Sequence, residues 1–313
     1  MALLAGSLGC GFNASHGSAD AAVDAIDAPP DAPVKTAWKY VDTSDGTYWS
    51  ASTLYGIGPA LDVTANKVID TDAKTECKVV EVDIMSSDKS TRVEVCAVFA
   101  ASISIHAGVT LSAHGALPLA LFAPKIDVQG TIDVASRIGG QRGAGSTNEG
   151  CNPSPASTGA GGGAGGTWNI QGGTGGDQGG TPGTGGKVEH AIAASLLRVG
   201  CDGLRGGDGS ASGGDDTAVG GGKGGGGVWI ATDRTTDDSP LIGGMLTLGA
   251  ISVINASGAS GGGASMGGRG GSGGGSGGLI VLQSKTYTQD PGARIFAAGG
   301  HGGGGSSVLA AGA

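Results

Sequence analysis

Serine, cysteine, histidine and aspartate are the residues of this 313-residue chain that could do chemistry, and their spacing limits what that chemistry is. A nucleophilic serine is set in a Gly-x-Ser-x-Gly elbow, a sharp turn between a strand and a helix. The pattern occurs at Gly258-Ala-Ser260-Gly-Gly262, at Gly270–Gly274 and at Gly274–Gly278. All three lie where Gly and Ser are so frequent that composition alone generates them, and no helical pattern follows. Lys223 has glycines on both sides but no Ser or Thr after it, so it is not the lysine of a phosphate loop. The glycine spacings also lack the βαβ unit of a dinucleotide site. Gly172-Gly-Thr174-Gly-Gly-Asp177 begins like a Ca²⁺-binding nonapeptide, but Gly179 stands at the required apolar position and the motif does not recur. The expectation is a chain with no catalytic, metal or cofactor site.

Two further sets of residues carry acid–base groups. Asp127 and Asp133 occupy polar positions of alternating strands, and paired acids on such a face serve as acid and base in polysaccharide-cleaving enzymes. Alternation demands polar residues there in any case, and no Lys or Arg array accompanies them. His106 and His114 fall at turns of one repeat and read as solvated, while His16 and His301 lie in a leash and a glycine run.

The five cysteines divide into one and four. Met1-Ala-Leu-Leu-Ala-Gly-Ser-Leu-Gly-Cys10 resembles the end of a bacterial lipoprotein signal, in which small residues precede a lipid-modified Cys. Ser7 departs from the usual Leu, and the basic leader segment is missing, as a start codon assigned too late would explain. Cys10 is therefore the expected lipidation site. The other four suit two disulfides in an oxidising compartment. Cys77 and Cys96 flank two strand-like runs around a polar turn at Ser86–Ser90, and Cys151 and Cys201 bracket the longest glycine insertion, so these pairs are expected. No Cys-x-x-C occurs, which leaves zinc and thioredoxin-like chemistry without support.

Residues 11–34 read as an acidic Ala/Pro/Asp tether, with Asp20, Asp24, Asp27 and Asp31 and no Lys or Arg. Much of the net charge of −9 sits there, so the body is only mildly acidic and lacks the basic stripe that nucleic acid requires. No apolar run is long enough to span a bilayer as a helix.

Of 68 glycines, all but ten lie at or beyond Gly139, about one residue in three there. Collagen is excluded because Pro totals only 11 and the three-residue period is local. Residues 35–138 therefore read as an N-terminal cap and the first β coils, and residues 139–313 as glycine insertions alternating with further coils. Four units recur: Ser102–Gly115, Leu119–Ser136, Val228–Ala231 continued by Leu246–Ser257, and Leu279–Ala298. Each holds short strands with period-two alternation, clearest at Ile126, Val128, Ile132 and Val134. Units of about 20 residues match one coil of a parallel β-solenoid. A small β-sandwich is the alternative, but its strands need not recur in register. Val79–Phe99 is expected to add a terminal coil or cap.

Glycine runs leave after Val134-Ala-Ser136, Asn255-Ala-Ser257 and Phe296-Ala-Ala298, hence from one corner of successive coils. Three-residue phasing, as in Met266-Gly-Gly-Arg269-Gly-Gly-Ser272-Gly-Gly, suits polyglycine II, an extended threefold helix whose backbone groups must bond neighbours. Glu189–Leu197 reads as a short helix within the longest run.

The succession Cys-x-Val, Ser104-Ile-His-Ala-Gly-Val-Thr-Leu111, Gly130-Thr-Ile-Asp-Val134, Cys151, Leu204-Arg-Gly-Gly207 and Gly278-Leu-Ile-Val-Leu282 resembles the glycine-rich surface lipoproteins predicted in myxobacteria. The resemblance extends from about Cys77 onward and includes the Asp-Ala leash. It implies display at an outer membrane or cell surface and carries no assigned activity. The expected function is structural or adhesive, by multivalent contact with a polysaccharide or cell surface and without turnover. Lys223, Arg269, Ser272, Thr174 and Asp177 are the candidate contact residues. A polysaccharide-active enzyme using the acidic face is the alternative. Ice or mineral binding is a third reading, poorly matched because the variable positions are not uniformly small.

Overall fold

In a computed structural model the described residues are 58–85, 90–146, 151, 161–166, 173–175, 199–207, 220–232, 244–264 and 269–305, with four further short strands. Cys10, the 11–34 tether, Asp177, Glu189–Leu197, His16 and the turn at Ser86 lie outside them. Residues Thr36–Ala313 form one unit, separate from Met1–Lys35.

The described residues are all-β and contain no helix. Their strands are Lys39–Asp42 (β1), Tyr48–Trp49 (β2), Leu61–Val63 (β3), Lys67–Asp70 (β4), Lys78–Met85 (β5), Ser90–Phe99 (β6), Ile103–Ile105 (β7), Thr110–His114 (β8), Leu119–Phe122 (β9), Lys125–Val128 (β10) and Thr131–Asp133 (β11). After the longest glycine insertion follow Gly227–Ala231 (β12), Arg234–Thr236 (β13), Ser239–Ile242 (β14), Met245–Leu248 (β15), Val253–Asn255 (β16), Leu279–Gln283 (β17), Thr286–Gln289 (β18) and Arg294–Phe296 (β19).

The first sheet has the order β17-β12-β9-β6-β5-β1-β2, the second β18-β15-β10-β7-β3 and the third β19-β16-β11-β8-β4. The second and third are parallel throughout, and the first is parallel from β17 to β6. Each of the three later repeats therefore places one strand in each sheet, directly beside a strand of the preceding turn of chain, and Ser102–Gly115 supplies strands to the second and third sheets only.

Alternation explains the register. Ile126 and Val128 point inward while Asp127 between them stays near solvent. Laterally, Ile126 pairs with Ile103 and Leu246, and Ile132 with Leu111 and Ile254. All six are 0% exposed, and residues of the three sheets join in one core. Like aliphatic side chains thus stack on like, a contact that suits parallel strands rich in branched residues.

The first sheet is apolar on both faces. Leu119 and Leu121 face the common core, while Ala120 and Phe122 join Val80, Val95, Ala97, Trp229 and Ala231 in a second cluster. Phe122 stacks on Phe99 at 5.1 Å and meets Trp229 edge-on at 4.9 Å. This double burial is why Leu119–Phe122 and Gly227–Ala231 are continuous apolar runs.

Val79–Phe99 joins the N-terminal side of the stack as part of a hairpin: β5 pairs antiparallel with β6, and β6 lies parallel beside β9 in the first sheet. The stacked strands also begin earlier than Ser102, since β3 and β4 already pair in parallel with β7 and β8. Val79 lies opposite Cys96, which brings Cys77 within bonding range of it, and the Cys77–Cys96 disulfide spans Cα atoms 5.3 Å apart. The Cys151–Cys201 disulfide is present too.

Candidate functional site

The glycine runs follow third-sheet strands β11, β16 and β19, and the first two lead back into first-sheet strands β12 and β17. They pack on one another. Along residues 270–278, the N–H groups of Gly270, Gly273 and Ser276 donate to the carbonyls of Gly207, Leu204 and Cys201 at 3.0, 2.8 and 2.9 Å. Those of Ser272, Gly275 and Gly278 donate to Gly262, Ala259 and Ala256 at 3.0, 2.9 and 2.8 Å. Its own carbonyls accept in the same rhythm: Gly271 and Gly274 from Gly163 and Gly166, Gly273 and Ser276 from Gly222 and Gly225, Ser272 and Gly275 from Gly303 and Gly300. Every partner series advances by three residues, and successive residues address different neighbours. The segment runs parallel to 161–166 and 220–226 and antiparallel to 199–207, 256–264 and 297–305.

At most of the inward-facing glycines such packing leaves no room for a side chain. A Cβ on Gly273 would fall 1.9 Å from the Ala164 carbonyl oxygen, one on Gly274 2.1 Å from that of Gly300, and one on Gly275 2.1 Å from that of Lys223. The few serines inside serve the backbone. Ser136 and Ser146 both donate to the Gly224 carbonyl at 2.5 and 2.7 Å, and the Ser276 hydroxyl accepts the Cys201 N–H at 2.7 Å.

The sequence-derived contact residues divide. Thr174 is exposed and Arg269 is half-buried. Lys223 is half-buried and its ammonium is bound to Asp202 at 3.1 Å. Ser272 is only 3% exposed, and its hydroxyl accepts the Gly206 N–H at 3.4 Å, so it is no surface residue. A segment with neighbours on so many sides has no phase that faces water along its whole length.

Sequence reasoning missed Asp202. Its carboxylate, 10% exposed, binds Arg142 at 2.8 and 3.4 Å, Lys223, and the Gly224 N–H at 2.9 Å. One acid next to a disulfide cysteine thereby joins segment 199–207, segment 220–226 and the loop that follows β11. A lone Lys inside a glycine run was the available signal.

The candidate acids and histidines do not converge. Asp127 lies in the second sheet and accepts from the Gln129 amide at 2.7 Å. Asp133 lies in the third, ion-paired with Arg137 and accepting from the Asn255 amide at 3.3 Å. His106 meets Asp62 at 2.7 Å beyond the end of β7, whereas His114, at the end of β8, lies 3.8 Å from Asp70. Asp70, Asp72, His114, Gln141, Arg142 and Ser146 border a cleft of about 550 Å³. There Asp70 accepts the N–H groups of Asp72 and Ala73, and Asp72 that of Ala116. These bonds fix the carboxylates as turn-forming groups. Among the described residues no group of three or more His, Cys, Asp or Glu is placed to hold a metal ion. The chain matches no family model, no curated protein and no solved structure.

Proposed function

We propose that this chain is a surface-displayed, lipid-anchored protein that works by multivalent contact, built as a three-sided parallel β-solenoid bearing a sheaf of polyglycine II helices. The observation that carries this reading is the three-residue hydrogen-bond rhythm around 270–278, combined with the exclusion of any Cβ at Gly273, Gly274 and Gly275. A threefold extended helix has this phase, and its internally unbonded backbone requires neighbours on several sides. The result is a rigid body whose rim exposes backbone and small side chains, which favours many weak contacts over one deep pocket.

Two disulfides fit an oxidising, extracellular-type compartment. A lipid on Cys10 followed by the 11–34 tether would hold the body outside a membrane. Polysaccharide or another cell's surface is the partner class, met through Thr174, Arg269, Lys223 and Asp177. The alternative, a polysaccharide-active enzyme, requires Asp127 and Asp133 to work together, yet they sit in two different sheets and each is bound by neighbours.

A glycan and whole-cell binding screen, run on single and on clustered copies of the protein, tests the reading. Clustered copies should bind far more tightly, and Asp127→Asn with Asp133→Asn should leave binding intact. Cleavage of a polysaccharide that the two Asn variants abolish would establish the enzyme instead.

A further inference from the structure

The two ends of the stacked strands differ. At the N-terminal end the inward residues Val63 of β3 and Ile69 of β4 are 2% and 0% exposed. At the C-terminal end Tyr287 and Ile295 are 44% and 39% exposed, although the residues they pair with, Leu246 and Ile254, are wholly buried. Ile280 and Leu282 are half-buried where Val228 and Ile230 beside them are sealed. Among the described residues β17, β18 and β19 each end a sheet, so three strands of one repeat present an edge there with no described strand beside it. Glycine segment 297–305 shares that side. Gly300 and Gly303 point inward, with a Cβ meeting carbonyl oxygens at 1.9 and 2.1 Å, whereas Gly299, Gly302 and Gly305 have nothing nearer than 3.3 Å.

We propose that this end face is the interface for a second copy of the chain, related by a twofold axis through β18 and the corner from which the glycine runs leave. In the solenoid proposed above, on which this inference rests, the strands circle the core in the order first, second, third sheet. A perpendicular twofold reverses that sense, so the edges meet antiparallel, the sturdier of the two pairings. An axis through β18 sets β18 against its own copy and β17 against the partner's β19. It also brings the two 297–305 segments together, because the corner between the third and first sheets lies opposite the second. Axes through β17 or β19 would carry the two glycine sheaves apart.

Charge agrees with this choice. Lys285 precedes β18 and Asp290 follows it, both exposed. Antiparallel pairing of the two β18 strands puts the lysine end of one beside the aspartate end of the other, twice over. The occupant has to offer three strand edges and a glycine helix in one arrangement, and this same face on a second copy offers them. Head-to-tail stacking is obstructed, since β6 in the first sheet is already paired with β5.

Sedimentation of the full chain across a wide concentration range tests the proposal, with a reversible dimer as the expected species. Lys285→Glu reverses two symmetry-related contacts at once and should raise the dimer Kd about tenfold or more. Adding Asp290→Lys should bring it back toward the parent value. Gly302→Glu, at an open position of the sheaf, should also weaken the dimer. Val68→Glu, at the opposite end where Val68 is 55% exposed, should leave it unchanged. A monomer at every concentration gives the face to some other occupant and overturns the proposal. So does a dimer that ignores Lys285→Glu and Gly302→Glu, or one abolished by Val68→Glu.

Discussion

The strand body and the glycine sheaf bury backbone by opposite means. In the body, side chains keep the strands' interior dry: Ile103, Ile126 and Leu246 stack in one row, and Leu111, Ile132 and Ile254 in another. The cohesion there is hydrophobic, roughly 25 cal/mol for each Å² of apolar surface buried. In the sheaf the interior is backbone itself, and the cohesion is hydrogen bonding between segments that make none within themselves. The body therefore responds to lost volume and the sheaf to added volume.

Ile126→Ala should produce the largest loss on the body side. The side chain is wholly buried between rows contributed by neighbouring repeats, so its removal leaves a cavity and should cost about 2–5 kcal/mol in denaturant titration. A cost below about 1 kcal/mol would mean that the three sheets do not share one packed interior.

Loss of the Cys151–Cys201 bridge comes next. It closes a loop within the longest glycine insertion, with its two cysteines 50 residues apart. Cys151→Ser with Cys201→Ser should cost about 2–4 kcal/mol, read as a lowered melting temperature. Loss should also speed hydrogen exchange at Gly273 and Ser276 more than at Ile132, because Cys201 lies on the segment to which these N–H groups donate. Uniform acceleration in both regions would argue against a sheaf that loosens by itself.

On the sheaf side, Gly275→Val should destabilise by roughly 1–3 kcal/mol, since its Cβ would meet the Lys223 carbonyl oxygen at 2.1 Å and backbone cannot swing aside as a side chain can. Gly302→Val, whose Cβ meets nothing nearer than 3.8 Å, should change the monomer's stability little. Equal melting curves for both variants would mean that the runs behave as flexible linkers.

How much of this was legible follows from the same contrast. The body announced itself because inward and outward residues differ in type: Ile126-Asp-Val128 and Thr131-Ile-Asp133 carry their register in the alternation. β3 and β4 escaped notice because they are short: Leu61-Asp-Val63 holds a single alternation and Lys67-Val-Ile-Asp70 sets its two apolar residues side by side, too few positions to establish a period. The hairpin's strands were visible, but which sheet they join was not. In the sheaf the period is legible and the facing is not. Arg269 and Ser272 share one phase of the threefold repeat, yet Arg269 is half-buried and Ser272 sealed, because the answer depends on how far neighbouring segments extend. Asp202 was equally hidden, since Arg142, Lys223 and Gly224 meet it only after three chain segments assemble.

The smallest effect expected lies at Tyr287, where the body is left open. Burial holds its phenol above the ordinary tyrosine value of about 10, and its hydroxyl donates to the Gln289 amide oxygen at 2.6 Å. The sign follows from proton uptake. Below about pH 10 the folded and unfolded chains both keep this proton, so nothing depends on pH. Above it the unfolded chain releases the proton first, so stability falls as pH climbs through the folded value. The fall should be slight, because Tyr287 still keeps 44% of its surface exposed. Denaturant titrations at mildly and strongly alkaline pH should show a smaller loss for Tyr287→Phe than for the parent. If a second copy covers this face, the parent's tyrosine should ionise at still higher pH as protein concentration rises, whereas Lys285→Glu should show no such drift. Drift in both would uncouple Tyr287 from the end face, and drift in neither would leave it a solvated edge residue.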